Sequence, residues 1–231
     1  MGKQLAVIVT AAGKSARFNE ETNGTQKKEY VLLNGHTVLY HSCKHFLNRD
    51  DVVCLIVTYP KGEREKIRAA LEDILEQRKV QIYLVEGGNS RQESVCNALS
   101  ELKNMQRNTS DMFVAIHDAA RPFVSSDLIA KVVDEAEKVG SATPVLPVTD
   151  TMVRLDVEHN LRSREDRANL YSVQTPQVFA FPDILEAHIQ ARLRAKTYSD
   201  DATLYMEYGR KVASVPGDAD NIKITYAKDL K

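Results

Sequence analysis

Phe113-Val114-Ala115-Ile116-His117-Asp118-Ala119-Ala120-Arg121-Pro122 runs an unbroken apolar segment straight into a carboxylate. A short continuous apolar run between helical patterns predicts a strand covered on both faces. Asp118 then stands at the strand mouth, where open α/β sheets gather ligands. Leu5 to Val9 and Val52 to Val57 have the same character, and Val80 to Val85 has it more weakly. Helical patterns lie between these runs. Val38, Leu39, Cys43, Phe46 and Leu47 share one face, and Leu128, Ile129, Val132, Val133 and Ala136 share another that ends at Gly140. Ser90 and Glu93 form a capping-box pattern ahead of Val95, Ala98, Leu99 and Leu102. The alternation predicts an α/β fold with a mostly parallel sheet in a three-layer sandwich.

After Gly140 the pattern changes. Residues 144–176 carry Pro144, Pro147, Pro176 and many charges but no helical stripe, with Thr149 to Leu155 and Leu170 to Val173 as extended legs. A segment this long without a core of its own is usually functional or packs on a partner, which predicts a protruding β-arm. Pro182 to Leu193 then reads as a helix, Ser199 as the cap of another that ends at Gly209, and Asn221 to Tyr226 as a strand or extended end.

The 231 residues suffice for one α/β domain with an insertion. A net charge of −1 gives no bulk signal for a nucleic-acid partner, so any anion site must come from local clustering of Lys and Arg. Cys43, Cys54 and Cys96 are well separated and odd in number, as expected in a reducing cytoplasm. Met1 to Thr10 is too short to span a membrane, and no other stretch is apolar enough to do so.

Thr10-Ala11-Ala12-Gly13-Lys14-Ser15-Ala16-Arg17-Phe18 follows the first strand. Small residues let the backbone approach a ligand, and successive N–H groups can cradle phosphates. The segment is neither a Walker loop nor G-x-G-x-x-G, and a plain β-to-α turn has the same composition. Lys27, Lys28 and Tyr30 close the same long loop; such a Lys pair is either solvated or reaches phosphates as a mobile charge. Gly87-Gly88-Asn89-Ser90-Arg91 suits a capped turn or the floor of a nucleotide pocket. Asp118 suits either a pair with Arg121 or a Mg²⁺ contact, since a hard cation takes oxygen ligands and keeps substrate phosphates in its shell. His117 has no Ser or Cys nucleophile to serve and reads as structural. Thr151, Arg154, Arg167 and Thr175 supply the charged and hydroxyl donors that read phosphates, or form an exposed polar surface.

Together these stretches resemble the 2-C-methyl-D-erythritol 4-phosphate cytidylyltransferase family. The match runs over almost the whole chain: Ala11-Ala12-Gly13 with Arg17, Lys28-x-Tyr30, Gly87-Gly88 with Arg91 and Ser94, and His117 to Pro122. It continues through Asp150-Thr151-Met152, Asp166-Arg167, Gln174-Thr175-Pro176-Gln177 and Ala219-Asp220-Asn221-Ile222-Lys223. The resemblance implies a Rossmann-like nucleotidyltransferase domain, one domain over 1–231, with 144–176 as an arm for dimerisation and substrate binding. It implies that CTP and methylerythritol phosphate react, with Mg²⁺, to give CDP-methylerythritol and pyrophosphate in a homodimer. By matched position, Arg17, Lys28 and Lys223 would neutralise the triphosphate and the transition state. Ala11, Ala12, Gly13, Gly88, Asn89 and Ser94 would hold the nucleotide, and Asp118 would sit by the ribose and the metal. The partner's arm would bring Thr151 and Arg167 to the sugar phosphate, and Thr175 and Ser199 would complete that pocket.

The chain departs from the family pattern where Ser15 replaces a usual Gly, Lys27-Lys28-Glu29 replaces Pro-Lys-Gln, and Ser199 replaces a common Thr. Distance to Tyr30 selects Lys28 over Lys27. A ribitol-5-phosphate cytidylyltransferase shares the loop and the arm, but Ala120 and Asp220 favour the isoprenoid-pathway relative. A non-catalytic nucleotide-binding module would not be expected to keep both phosphate-site lysines and the arm hydroxyls, and a dinucleotide oxidoreductase would need G-x-G-x-x-G after the first strand.

Overall fold

The computed structural model describes residues 3–22, 24, 27–76, 80–105 and 109–230. Met1 and Gly2, at the head of the first predicted strand, lie outside them. The first half runs β1 (Gln4–Thr10), α1 (Ala16–Thr22), β2 (Leu32–Leu33), β3 (His36–Thr37), α2 (Val38–Leu47), β4 (Val52–Tyr59), α3 (Arg64–Ala70), α4 (Glu72–Glu76), β5 (Gln81–Glu86) and α5 (Arg91–Met105). It continues with β6 (Met112–Asp118), α6 (Ser126–Val139), β7 (Ser141–Pro147), β8 (Val153–Leu155), β9 (Leu161–Arg164), β10 (Tyr171–Val173), β11 (Gln177–Ala180), α7 (Phe181–Leu193), α8 (Asp201–Glu207) and β12 (Ala213–Pro216).

The central sheet has the order β10-β7-β11-β6-β1-β4-β5, with β12 on β7. Pairs β5/β4, β4/β1, β1/β6 and β7/β12 are parallel, and β10 and β11 run against the strands they pair with. The apolar runs are unbroken because both faces of the sheet are buried. On one face Leu5, Val7 and Val9 of β1 pack with Leu39, Cys43 and Phe46 of α2 and with Leu128, Ile129, Val132 and Val133 of α6. On the other, Ala6 and Ile8 pack with Val95, Leu99 and Leu102 of α5 and with Phe181 and Ile184 of α7. This is the three-layer α/β sandwich the sequence predicts. The α6 stripe is buried throughout and ends at Gly140, whose φ of 98° is the left-handed conformation that glycine adopts without a Cβ clash.

Several local expectations are corrected. The stretch between Thr10 and Tyr30 is not all loop, because Ala16–Thr22 is helical. α3 and α4 fill a region without a clear sequence pattern. Asp200, not Ser199, caps α8: the Asp200 side chain accepts from Thr203 N at 3.0 Å, while the Ser199 hydroxyl donates to Asp200 instead. Ser90 does receive Glu93 N at 3.1 Å, but the Glu93 carboxylate reaches back to Asn89 N at 2.8 Å, one residue earlier than a capping box requires. Residues 221–225 contain no strand; they are stitched to the loop after β6 by Ile224 N to Ala120 O and by Arg121 to Asn221 O. In the arm, Tyr171–Val173 returns as β10 on β7, whereas β8 pairs with β9 in a separate two-stranded hairpin whose strand residues are all exposed.

Candidate active site

The carboxyl ends of β1, β4, β5 and β6 open onto one cavity of about 1040 Å³. Its wall includes Thr10, Ala12, Gly13, Lys14, Lys28, Gly88, Asn89, Arg91, Ser94, Asp118 and Lys223. Strand order thus brings together loops that lie more than a hundred residues apart in the chain, as expected where open α/β sheets bind ligands.

Two small-residue loops form one side. A Cβ added at Gly87 would lie 2.4 Å from Ala12 Cβ and 2.7 Å from Ser94 Oγ, so the loops touch only because this position has no side chain. Ser94 Oγ accepts from Gly88 N at 3.1 Å and donates to Ser90 O at 2.8 Å, fixing the second loop against the start of α5. A Cβ at Gly13 would meet nothing within 4 Å and would point into open space. Ser15 has φ 51°, a left-handed conformation that favours glycine, and its hydroxyl donates to the buried Glu29 carboxylate at 3.0 Å. Two of the departures from the family pattern, Ser15 and Glu29, therefore bond to each other.

Asp118 is 7% exposed. Its Oδ1 accepts from Arg91 Nε at 3.0 Å and lies 3.3 Å from Thr10 Oγ1, while Oδ2 accepts from Lys223 Nζ at 2.6 Å. Burial pushes this carboxyl up, but the Arg91 and Lys223 charges outweigh it and hold Asp118 far below the usual carboxylate range. The ion-pair partners are therefore Arg91 and Lys223, and the alternative pair with Arg121 does not form; Arg121 Nη1 instead donates to Asn221 O at 2.6 Å. His117 is fully buried. Its Nε2 lies 3.1 Å from Arg121 O and its Nδ1 3.0 Å from Thr175 Oγ1, and burial lowers its pKa to about 4. A neutral imidazole with both nitrogens engaged is structural, as the sequence suggests.

Lys28 Nζ donates to Ile224 O at 2.6 Å, and Lys27 Nζ donates to Gly13 O. Burial lowers the pKa of both lysines, but Lys28 also interacts with Lys223, Asp118 and Arg17, while Lys27 interacts with Glu63 and Lys66. Lys28 thus stands on the Asp118 side of the cavity. Arg17 is exposed on α1 and close enough to Lys28 to feel its charge, although it does not line the cavity.

The remaining residues singled out in the sequence divide. Ala11 is buried behind the loop, with its N–H held by Thr58 O and Oγ1, both at 3.2 Å. Thr175 lies beneath Asp118 and accepts from its N–H at 3.1 Å. Thr151 and Arg167 are exposed on the arm, where Arg167 Nη1 donates to Thr149 O. Ser199 is exposed and donates to Asp200 Oδ2 at 3.1 Å. The role of Arg91 in holding Asp118 was not visible in the sequence, because its two carboxylate partners come from distant segments. Among the described residues no group of three or more His, Cys, Asp or Glu side chains is arranged to hold a metal, and no helix is long and apolar enough to cross a membrane.

The model of the family described as IspD, 2-C-methyl-D-erythritol 4-phosphate cytidylyltransferase, matches residues 5–231. The chain is 36% identical over 227 residues to the enzyme of that name from Clostridium beijerinckii, covering 98% of this chain and 95% of that one. It is 34% identical over 231 residues to the "Bifunctional enzyme IspD/IspF" of Bartonella tribocorum, covering all of this chain and 55% of the relative; it spans about half the length of the bifunctional relatives it matches. The crystal structure of the Thermus thermophilus cytidylyltransferase aligns with a TM-score of 0.75 at 32% identity, over 98% of this chain and 95% of that one.

Proposed function

Because the chain belongs to the 2-C-methyl-D-erythritol 4-phosphate cytidylyltransferase family, we propose that it forms CDP-methylerythritol and pyrophosphate from CTP and 2-C-methyl-D-erythritol 4-phosphate in isoprenoid precursor synthesis. The observation that carries this reading is the meeting of Lys28, Lys223 and Asp118 with two small-residue loops at one cavity.

A phosphate oxygen of the sugar phosphate attacks the α-phosphorus of CTP in line. One P–O bond forms, the bond to the β-phosphate oxygen breaks, and pyrophosphate leaves with the electron pair. The attacking monoester is already largely ionised at neutral pH, so no general base is needed, in keeping with a neutral His117 whose nitrogens are both engaged. Catalysis then rests on alignment and charge neutralisation. The Gly13 and Gly88 loops hold the nucleotide with backbone donors. Lys28 and Lys223 leave their present partners, Ile224 O and Asp118 Oδ2, for phosphate oxygens, and Arg17 adds charge at the rim.

A Mg²⁺ ion needs only one or two protein carboxylates beside substrate phosphates, and Asp118 fits as that carboxylate once Lys223 has turned to the triphosphate. When bound, the ion supplies further neutralisation of the phosphates. Thr151 and Arg167 act from the arm of a second copy in a homodimer, while Thr175 supports Asp118 from beneath by accepting from its N–H and Ser199 offers its exposed hydroxyl to the sugar phosphate from the surface. Exposed apolar side chains on the arm, among them Leu155, Val157 at 97% and Leu161 at 75%, support such a contact. Three buried free thiols suit a reducing cytoplasm.

A pyrophosphate-release assay with CTP and each sugar phosphate tests the assignment. Turnover with methylerythritol phosphate is expected. Turnover with ribitol 5-phosphate alone would move the chain to the pentitol-phosphate class, and release with neither would leave a nucleotide-binding module.

A further inference from the structure

Behind Asp118 a line of buried charge leads away from the cavity. Arg91, at the start of α5, places Nε 3.0 Å from Asp118 Oδ1 and Nη1 2.6 Å from Asp201 Oδ2. Asp201, at the start of α8, is 1% exposed, and its Oδ1 lies 3.0 Å from Nε2 of His188 on α7, which is equally buried. Burial works against charge on all three groups. Pairing outweighs it: Asp201 and Asp118 hold Arg91 above its ordinary pKa, Asp201 and Cys96 hold His188 above its own, and Arg91 and His188 hold Asp201 below its own.

The way Arg91 divides its donors matters. A guanidinium facing a single carboxylate usually binds both oxygens with two parallel N–H bonds. Here it takes one oxygen of each of two carboxylates, and its third nitrogen, Nη2, is buried with no hydrogen-bond partner among the described residues. The division leaves Asp118 Oδ2 free of Arg91 and available to Lys223 on the cavity side. We propose that Asp201, oriented by His188, is a positioning residue for the active site: by holding Nη1 of Arg91 it fixes the guanidinium plane so that Nη2, the nitrogen that would complete a fork with Nε, does not reach Asp118 Oδ2. Without it, Arg91 closes on both Asp118 oxygens, displaces Lys223 and withdraws the carboxylate from the ligand. The two remote residues act on the reaction only through Asp118.

This inference rests on the proposed reaction for its kinetic arm alone, and the test separates the two. The crystal structure of Asp201→Asn is expected to show Arg91 bidentate on Asp118 with Lys223 Nζ beyond hydrogen-bond reach. Arg91 and Lys223 left in place would overturn the proposal whatever the chain catalyses. In pyrophosphate release, Asp201→Asn should lower kcat by about 10- to 100-fold with little change in KM for CTP, and should add less than about twofold to Asp118→Asn, because residues that act through one another are not additive. Full additivity would also overturn it. His188→Gln, which keeps an amide donor for Asp201, should retain near wild-type kcat, whereas His188→Leu should follow Asp201→Asn. Equal losses of Tm in the two His188 variants with unchanged kcat would reduce the line to a packing role. An inactive wild type whose Asp201→Asn structure shows the rearrangement would refute the reaction and leave the positioning intact.

Discussion

Replacing Lys223 by Ala separates the charge of the site from the stability of the fold. Among the described residues Lys223 Nζ makes one ion pair, 2.6 Å from Asp118 Oδ2, and its side chain is 41% exposed. A hydrogen bond to a charged group contributes about 1.5–3 kcal/mol when shielded. Exposure and solvent screening reduce this to about 1 kcal/mol here, because Asp118 keeps Arg91 as a buried partner. In a chain of this size about 1 kcal/mol corresponds to a fall in Tm of about 2–4 °C. The same ammonium is assigned to the charge that builds on the triphosphate, and loss of one preorganised donor of that kind typically costs about 10²–10³ in kcat, or about 2.7–4 kcal/mol of barrier. Lys223→Ala should therefore lose most of its turnover while staying folded. Steady-state pyrophosphate release gives kcat, and scanning calorimetry gives Tm. A kcat within about fivefold of wild type, or a rate loss matched by an equivalent loss of folded protein, would refute the reasoning.

Gly87→Ala drives a methyl group into Ala12 Cβ and Ser94 Oγ; the overpacking should cost about 1–3 kcal/mol of stability and part the two loops, weakening CTP binding by calorimetry. Unchanged CTP affinity would place the nucleotide elsewhere. His117 titrates at about 4 in the fold against 6.5 ordinarily. Between these values the unfolded chain binds the extra proton, so the stability His117 contributes is full above pH 6.5 and is lost as pH falls towards 4, by about 3 kcal/mol at most. Urea unfolding should show the advantage of wild type over His117→Asn shrinking over that window, and a constant gap would contradict burial of a neutral imidazole. Arg167→Ala should weaken methylerythritol phosphate binding and spare CTP, and equal loss for both ligands would remove the arm from the sugar-phosphate site.

The parallel core was legible because its signals are local. Leu5 to Val9, Val52 to Val57 and Phe113 to Ile116 are unbroken because both faces are buried, and the α6 stripe carries its own stop at Gly140. The strand β12 was not legible: its four residues hold one buried apolar side chain, Val215, and their partners on β7 lie some seventy residues earlier. The cap of α8 falls at Asp200 rather than its neighbour because Ser and Asp are nearly equal as caps, and only geometry separates them. At the site, the small-residue loops and Asp118 stood out by type and spacing. The Arg91–Asp201–His188 line did not, since an ion pair between residues 110 positions apart leaves no mark on either local sequence. Conversely, Ala11, Thr175 and Ser199 stand out by motif, whereas the fold puts the first two behind the cavity wall and the third on the surface.

Charge neutralisation at this site requires Lys28 and Lys223 to meet the triphosphate beside Asp118. A crystal structure of the chain with CTP and Mg²⁺ measures this directly. Phosphate oxygens are expected within hydrogen-bond distance of both Nζ atoms, with the Gly13 and Gly88 backbone around the nucleotide. A triphosphate that leaves Lys28 on Ile224 O and Lys223 on Asp118 would contradict it.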